Sequence, residues 1–251
     1  MKTLTTSLIL AAACSGACSS IPERPGSDNQ GSGDYAASRN QACLLEAQQA
    51  FTSGKFSEVP KALSRWQGFM DDPRPLALLG RAAAAEGRYP LAAGFFVRAG
   101  ELAPASNAIA LWTAQAFEAT GAWTEAAKSY AKATALDPEN VQAVLGSMRA
   151  ETASGNAAAA LAIALKEWKS FNDEAEFVAM SADLAFANHE FALAIEWSLA
   201  AGKLGVENEG RTERLILAYA WTGKHAEAVA EAARCDAEIL APAGSPGQAR
   251  R

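Results

Sequence analysis

A 34-residue rhythm of glycines is the feature that most constrains the fold of this 251-residue chain. The glycines follow one another at intervals of 33, 34, 34 and 68 residues, at Gly54, Gly87, Gly121, Gly155 and Gly223. His189 stands at the midpoint of the longest interval. Self-similarity at one fixed period is the signature of a repeat architecture, in which each unit packs against its neighbours.

Each unit reads as helix, turn, helix. The glycine lies just past the first helix, where a left-handed residue closes the helix end. In the unit that lacks this glycine, we expect Asn188 or a strained His189 to take its place. Ser57 and Thr124 stand where an N-cap would begin the second helix. Five positions after the turn residue come small or β-branched residues that let the two helices approach closely: Val59, Ala92, Ala126, Ala160, Ala194 and Ala228.

The segment LGRAAAAEGRYPLAAGFFVRAGELAP, from Leu79 to Pro104, contains Leu-Gly, a turn glycine, an aromatic residue, alanine, a second aromatic residue and a closing proline. This pattern resembles the tetratricopeptide repeat (TPR), and the resemblance covers about residues 39–237. It implies an all-α protein, a right-handed α-solenoid of about six helix hairpins at residues 37–240. The units would lie near 39–72, 73–106, 107–140, 141–174, 175–208 and 209–240.

Composition agrees with packed helices and argues against nucleic acid as a partner. Half of the residues are apolar, and much of that fraction is alanine, whereas strand formers are sparse. The net charge of -6 is spread along the chain, and no basic stripe is present that would bind a phosphate backbone.

The N-terminal sequence MKTLTTSLILAAACSGACSS has a short positive start at Lys2 and an apolar stretch too short to span a bilayer. It resembles a bacterial lipoprotein signal at residues 1–13, with Cys14 as the lipid attachment site and Cys18 as the alternative. Ordinary signal-peptidase cleavage remains a further alternative. The resemblance, together with Ser15 after Cys14, implies an outer-membrane protein that is lipid-anchored and faces the periplasm.

Two segments are too poor in apolar residues to build a core. Residues 14–36 are rich in Pro, Gly and Ser, which predicts a disordered tether between the anchor and the first helix. Residues 241–251 have a similar composition and predict a disordered tail.

In TPR solenoids the first helix of each pair lines the concave surface. Carrying those positions over by register predicts a peptide-binding groove that contains Leu44, Gln48, Phe51, Arg81, Leu111, Gln115, Glu118, Leu145, Arg149, Asp183, Phe186, Leu217 and Trp221. The same register includes Arg74, Ala77, Thr152, Ala179 and Glu213.

Not all of these residues are equally strong candidates. The four leucines have an alternative interpretation as packing between helices. The rings of Phe51, Phe186 and Trp221 are stronger candidates, because a ring on a concave face exceeds what packing requires. Trp112, by contrast, is interpreted as an interhelical packing residue.

The resemblance also excludes one ligand. Some TPR proteins clamp an acidic C-terminal tail with repeated Lys and Asn, but Ala77, Leu111 and Leu145 occupy those positions here. An acidic C-terminal tail is therefore not the expected ligand.

The whole architecture resembles the pilotin-type TPR lipoproteins of type IV and Flp/Tad pilus systems, and the Tad assembly lipoprotein in particular. This resemblance implies an interaction scaffold that binds a secretin or another pilus or secretion assembly component. An adaptor for peptidoglycan hydrolases, or for outer-membrane protein assembly, is the alternative. An enzyme or ligand-binding protein is the remote alternative, and the sequence predicts no catalytic residue, metal or cofactor.

Overall fold

The computed structural model describes residues 29–206 and 209–240, and this part of the chain contains twelve α-helices and no strand. The first six helices are α1 Asn29–Thr52, α2 Val59–Leu63, α3 Pro73–Ala85, α4 Tyr89–Leu102, α5 Asn107–Ala119 and α6 Trp123–Leu136. The remaining six are α7 Val141–Ala153, α8 Ala157–Phe171, α9 Ala175–Ala187, α10 Phe191–Lys203, α11 Glu209–Trp221 and α12 His225–Leu240. Short 3-10 turns precede α2 and α3, at Phe56–Glu58 and Phe69–Asp71.

Consecutive helices pair into six hairpins, and each hairpin packs against the next. The first helices of neighbouring hairpins also contact one another, as α1 does α3, α3 does α5, α5 does α7, and α9 does α11. Within the described residues, no two second helices come comparably close. The first helices therefore form the inner layer of the stack. The predicted all-α solenoid is confirmed.

The turn inside each hairpin is held by the same two backbone hydrogen bonds. In the second hairpin, the Gly87 amide donates to the Ala84 carbonyl at 2.9 Å, and the Arg88 amide donates to the Ala83 carbonyl at 2.8 Å. This pairing closes a helix through a left-handed residue, and all five predicted turn glycines have φ between +73° and +86°.

The same turn survives without glycine in the fifth hairpin. His189 takes the left-handed conformation with φ of 63°, whereas Asn188 stays at φ of -92°. Of the two expected residues, His189 is therefore the one that turns the chain. The Asn188 Nδ2 atom instead donates to the carbonyls of Leu184 at 2.8 Å and Ala157 at 3.1 Å, which ties this turn to the preceding hairpin.

The core lies between the two helix layers and depends on small residues facing rings. The six residues five positions after the turn are all buried. A Cβ atom on Gly80 would lie 2.5 Å from the Phe96 ring, and one on Gly146 would lie 2.3 Å from the Tyr130 ring. Any larger residue at these glycines would force the helices apart.

Helix starts differ from the sequence prediction in two respects. Ser57 and Thr124 are not N-caps, because α2 begins only at Val59 and α6 begins already at Trp123, after Ala122. In α6 the helix starts two residues after Gly121, and in α2 the 3-10 turn Phe56–Glu58 runs into the helix, so neither start has an extended residue that could cap it. The side-chain caps lie instead on first helices, where longer connections leave room: Asp72, Ser106 and Asn140.

The first helix begins at Asn29, inside the segment interpreted as a tether up to residue 36. Extending an existing helix adds one hydrogen bond per residue and needs no new nucleus, so a helix can continue into a sequence of poor formers. The predicted signal, both candidate lipid-attachment cysteines, the rest of the tether and the tail lie outside the described residues. No described helix has both the length and the apolar character needed to cross a bilayer.

Candidate functional site

The inner face is the surface formed by the first helices α1, α3, α5, α7, α9 and α11. Of the predicted groove residues, Leu44 and Leu145 are buried in the core, so their role is packing between helices. Leu111 is half-buried and packs on two core clusters. The exposed members are Gln48, Arg81, Gln115, Asp183, Leu217 and Trp221, and the half-buried members are Phe51, Glu118, Arg149 and Phe186.

Three hairpins bring predicted residues together around Arg81. The guanidinium carbon of Arg81 lies 4.4 Å from the centre of the Phe51 ring and 5.1 Å from the centre of the Trp112 ring. Phe96 extends this row of rings, with its centroid 5.9 Å from that of Trp112. The sequence interpretation of Trp112 as a packing residue was therefore incomplete.

A cavity of about 270 Å³ opens beside these rings, and we call it the aromatic pocket. Its walls are mainly apolar. The residues that line it are Phe51, Arg81, Ala84, Tyr89, Phe96, Trp112, Gln115 and Ala116. The pocket thus joins three predicted groove residues from three successive first helices.

Farther along the inner face, predicted groove residues neutralise one another. The Arg149 Nε atom donates to Glu118 Oε1 at 3.1 Å, and Arg149 also faces Glu176, with Nη1 and Oε1 3.9 Å apart. The Tyr130 hydroxyl donates to the other carboxylate oxygen of Glu118. Burial, and then this hydrogen bond, raises the pKa of Tyr130. These contacts link α5, α6, α7 and α9, and we call them the Glu118 network.

A second ion pair lies between α9 and α11. The Arg214 Nη2 atom is 2.6 Å from Asp183 Oδ1. Desolvation raises the pKa of Asp183, while the charge of Arg214 opposes that rise. Sequence reasoning missed Glu176 and Arg214 as partners. The spacing of 31 residues in the pairs 118–149 and 183–214 was the available signal, because it places two charges side by side on neighbouring first helices.

The last two hairpins carry an exposed aromatic and aliphatic patch. The ring of Trp221 stacks on Phe191 at 5.9 Å with an interplanar angle of 7°, and Phe186 meets the same Phe191 ring at 5.7 Å. Trp221 nevertheless remains 71% exposed, and Leu217, one helical turn earlier, remains 48% exposed. Two predicted groove residues are thus open to solvent at this end.

Stacked helix hairpins with left-handed turns and an open inner face define an α-solenoid with a TPR-like fold. No protein-family model matches the chain, and no curated protein matches it in sequence. Solved structures do match, and they confirm the fold. YrrB, described as a TPR protein with an unusual peptide-binding site, superposes with a TM-score of 0.60 at 12% identity, over 75% of this chain and 93% of that chain.

Two other solved structures agree with this result. Pseudomonas aeruginosa pilF superposes with a TM-score of 0.57 at 14% identity, over 83% of this chain and 95% of that one. MamA from Desulfovibrio magneticus RS-1 gives a TM-score of 0.58 at 17% identity, over 66% of this chain and 95% of that one. At these identities the similarity establishes the fold alone.

Proposed function

We propose that this protein is an interaction scaffold whose inner face holds another polypeptide. The observation that carries the proposal is the combination of aromatic, aliphatic and charged groups left accessible on that face. Phe51 and Arg81 border the aromatic pocket at one end, and Leu217 and Trp221 are exposed at the other. Accessible rings and arginine beside apolar surface are the groups that dominate protein–protein interfaces.

We further propose that the scaffold is lipid-anchored in the outer membrane and faces the periplasm. The support is the sequence of residues 1–20, in which an apolar stretch and small residues precede Cys14 and Cys18. Metabolic labelling with an alkyne fatty acid tests this proposal. The parent should be labelled and the Cys14→Ser, Cys18→Ser double variant should not, and the two single variants identify the attachment site. An unlabelled parent would contradict the anchor.

The proposed role is assistance in assembling a pilus or secretion machine, with a secretin or another assembly component as the partner. The support is the resemblance in overall architecture to pilotin-type TPR lipoproteins, and the fold similarity to Pseudomonas aeruginosa pilF is compatible with it. If the role is correct, deleting the gene reduces piliation, and restoring the parent chain recovers it.

Photo-crosslinking in the native cell tests both the face and the partner. A photoreactive residue replaces the exposed Gln48 on α1, and the matched control replaces the exposed Lys128 on the second helix α6. We expect the Gln48 position to capture a secretin or pilus component and the Lys128 position not to capture it. Equal capture at both positions would contradict the inner-face proposal. A peptidoglycan hydrolase or an outer-membrane assembly protein at Gln48 would favour the alternative role.

A further inference from the structure

We propose that the aromatic pocket binds an acidic side chain within an extended, otherwise apolar segment of the partner, and that Arg81 recognises its carboxylate. This inference rests on the proposed function, in that it assumes a polypeptide on the inner face. It adds a chemical specificity that the fold alone does not supply.

The first support is that Arg81 carries a charge for which the described residues supply no counter-charge. Seven arginines in the described part of the chain lie within 4.0 Å of a carboxylate: Arg65, Arg74, Arg88, Arg98, Arg149, Arg214 and Arg234. Arg81 has no such partner among the described residues, and it contacts the rings of Phe51 and Trp112 instead. An exposed cation next to apolar surface favours an anionic ligand.

The second support is that the rings hold the guanidinium while leaving its donors available. Cation–π contacts use the face of an aromatic ring, and the N–H groups of arginine point outward in the plane of the guanidinium. Two rings within about 6 Å restrict the rotamers of Arg81, so less entropy is lost when a carboxylate binds. A planar, pre-oriented donor fork suits bidentate recognition of a carboxylate.

The third support is the size and lining of the pocket. Its volume of about 270 Å³ falls just below the range of about 300–1,000 Å³ that is typical of drug-sized ligands, so it suits one or two side chains. The apolar walls fit the methylene stem of an acidic residue and an apolar neighbour, and Gln115 and Tyr89 supply polar groups. The pocket spans three successive first helices, so a segment that runs along the inner face can place an internal residue in it.

The test uses random linear peptides, displayed and then selected on the full chain. Selected sequences should be enriched in Asp or Glu beside apolar residues. An amidated synthetic peptide that binds is then compared with its counterpart in which Glu is replaced by Gln. We expect Arg81→Gln to weaken binding of the Glu peptide roughly tenfold or more and to leave the Gln peptide nearly unchanged.

Two further variants separate charge from geometry. Arg81→Lys keeps the charge and loses the planar fork, so we expect intermediate affinity for the Glu peptide. Lys128→Gln removes an exposed cation from a second helix and should leave the affinity unchanged. Added salt should weaken binding of the Glu peptide to the parent chain more than binding of the Gln peptide. This comparison requires no protein variant.

Three outcomes would overturn the inference. These are equal acid enrichment on the parent and on a folded Arg81→Gln chain, equal affinity for the Glu and Gln peptides, and failure of the parent to select any peptide. Circular dichroism and thermal melting verify that the variant is folded. None of these outcomes decides the proposed function, because crosslinking at Gln48 reports separately whether a protein occupies the inner face.

Discussion

Arg81 and Arg149 occupy the same register position in their repeats, six residues before the turn glycine, yet their surroundings differ. Arg149 is tied to Glu118 and Glu176 on neighbouring first helices, whereas Arg81 rests between two rings with no described carboxylate beside it. The repeat therefore fixes where a charge lies but not what it does. One arginine joins hairpins together, and the other remains available for a ligand.

The largest effect is expected where the Glu118 network is broken at its centre. Glu118→Ala removes the acceptor of both Arg149 and Tyr130, and it leaves a partly buried cation without its closest counter-charge. We expect the free energy of unfolding to fall by about 2–3 kcal/mol, measured by urea denaturation at neutral pH.

Glu101→Ala is the matched control for this change. Glu101 pairs with Arg98 on the exposed surface of a single helix, with a side chain that is 58% exposed. Its removal should change stability by no more than about 0.5 kcal/mol. If the two alanine variants lose the same stability, the network contributes nothing beyond a surface ion pair.

The second prediction compares the two arginines directly. Arg149→Gln should lower the free energy of unfolding by about 1–2 kcal/mol, because it removes a charged hydrogen bond that links two hairpins. Arg81→Gln should lower it by only about 0.5 kcal/mol, since its ring contacts lie at an exposed site. Urea denaturation of the two variants side by side measures the difference. Equal losses of unfolding free energy in the two variants would contradict the view that Arg149 holds hairpins together and Arg81 does not.

The third prediction concerns the N-caps of the first helices α3 and α7, which carry Arg81 and Arg149 and which begin with different capping residues. Asp72 caps α3 with a charged group, whereas Asn140 caps α7 with a neutral amide. Asp72→Ala should cost about 1 kcal/mol at pH 7, because the Arg74 amide loses its acceptor at 2.9 Å.

The effect of Asp72 should depend on pH. The side-chain hydrogen bond from Arg74 is the main cause that lowers the pKa of Asp72 in the folded chain. The ionised Asp72 carboxylate therefore stabilises the folded chain above the unfolded pKa of about 3.9. This stabilisation is lost as the pH falls through the lower folded pKa. The stability difference between parent and Asp72→Ala should shrink in that acidic range. Asp72→Asn retains an acceptor without titrating, so its stability relative to Asp72→Ala should stay constant.

The fourth prediction concerns Tyr130→Phe, which should lower the free energy of unfolding by about 0.5–1 kcal/mol at neutral pH, because it removes a single hydroxyl donor from the Glu118 network. Since the pKa of Tyr130 is raised in the folded chain, the stability from its neutral hydroxyl is fully present below the unfolded pKa of about 10. That stability is lost as the pH rises further, so the parent should lose stability faster than Tyr130→Phe above about pH 10. Parallel curves in alkaline urea denaturation would contradict this assignment.

The sequence predicted the fold because the repeat is encoded by local sterics. A glycine past the helix end and a small residue five positions later carry information that does not depend on distant partners, and Gly87 with Ala92 behaves as expected. His189 shows the limit of this reasoning, since the turn persists through backbone hydrogen bonds after the preferred residue is gone.

The inner face was predicted less completely, because register alone does not determine which side chains meet. Leu145, which the register placed in the groove with packing as its alternative, is fully buried, since its helix α7 packs against both α6 and α8. Trp112 was assigned to packing and also borders the aromatic pocket. Both outcomes depend on how neighbouring helices pack against each other, which the repeat period does not determine.

In the described part of the chain, each hairpin contacts only its neighbours in the stack, and this arrangement has a mechanical consequence. The curvature of such a stack is the sum of small rotations at each interface, so the radius of the arc can change without rupture of any single hairpin. The Glu118 network adds ion pairs across the interfaces that join the third, fourth and fifth hairpins, whereas rings line the interfaces around Arg81. Small adjustments at several interfaces can therefore fit the inner face to a bound segment while every hairpin stays intact.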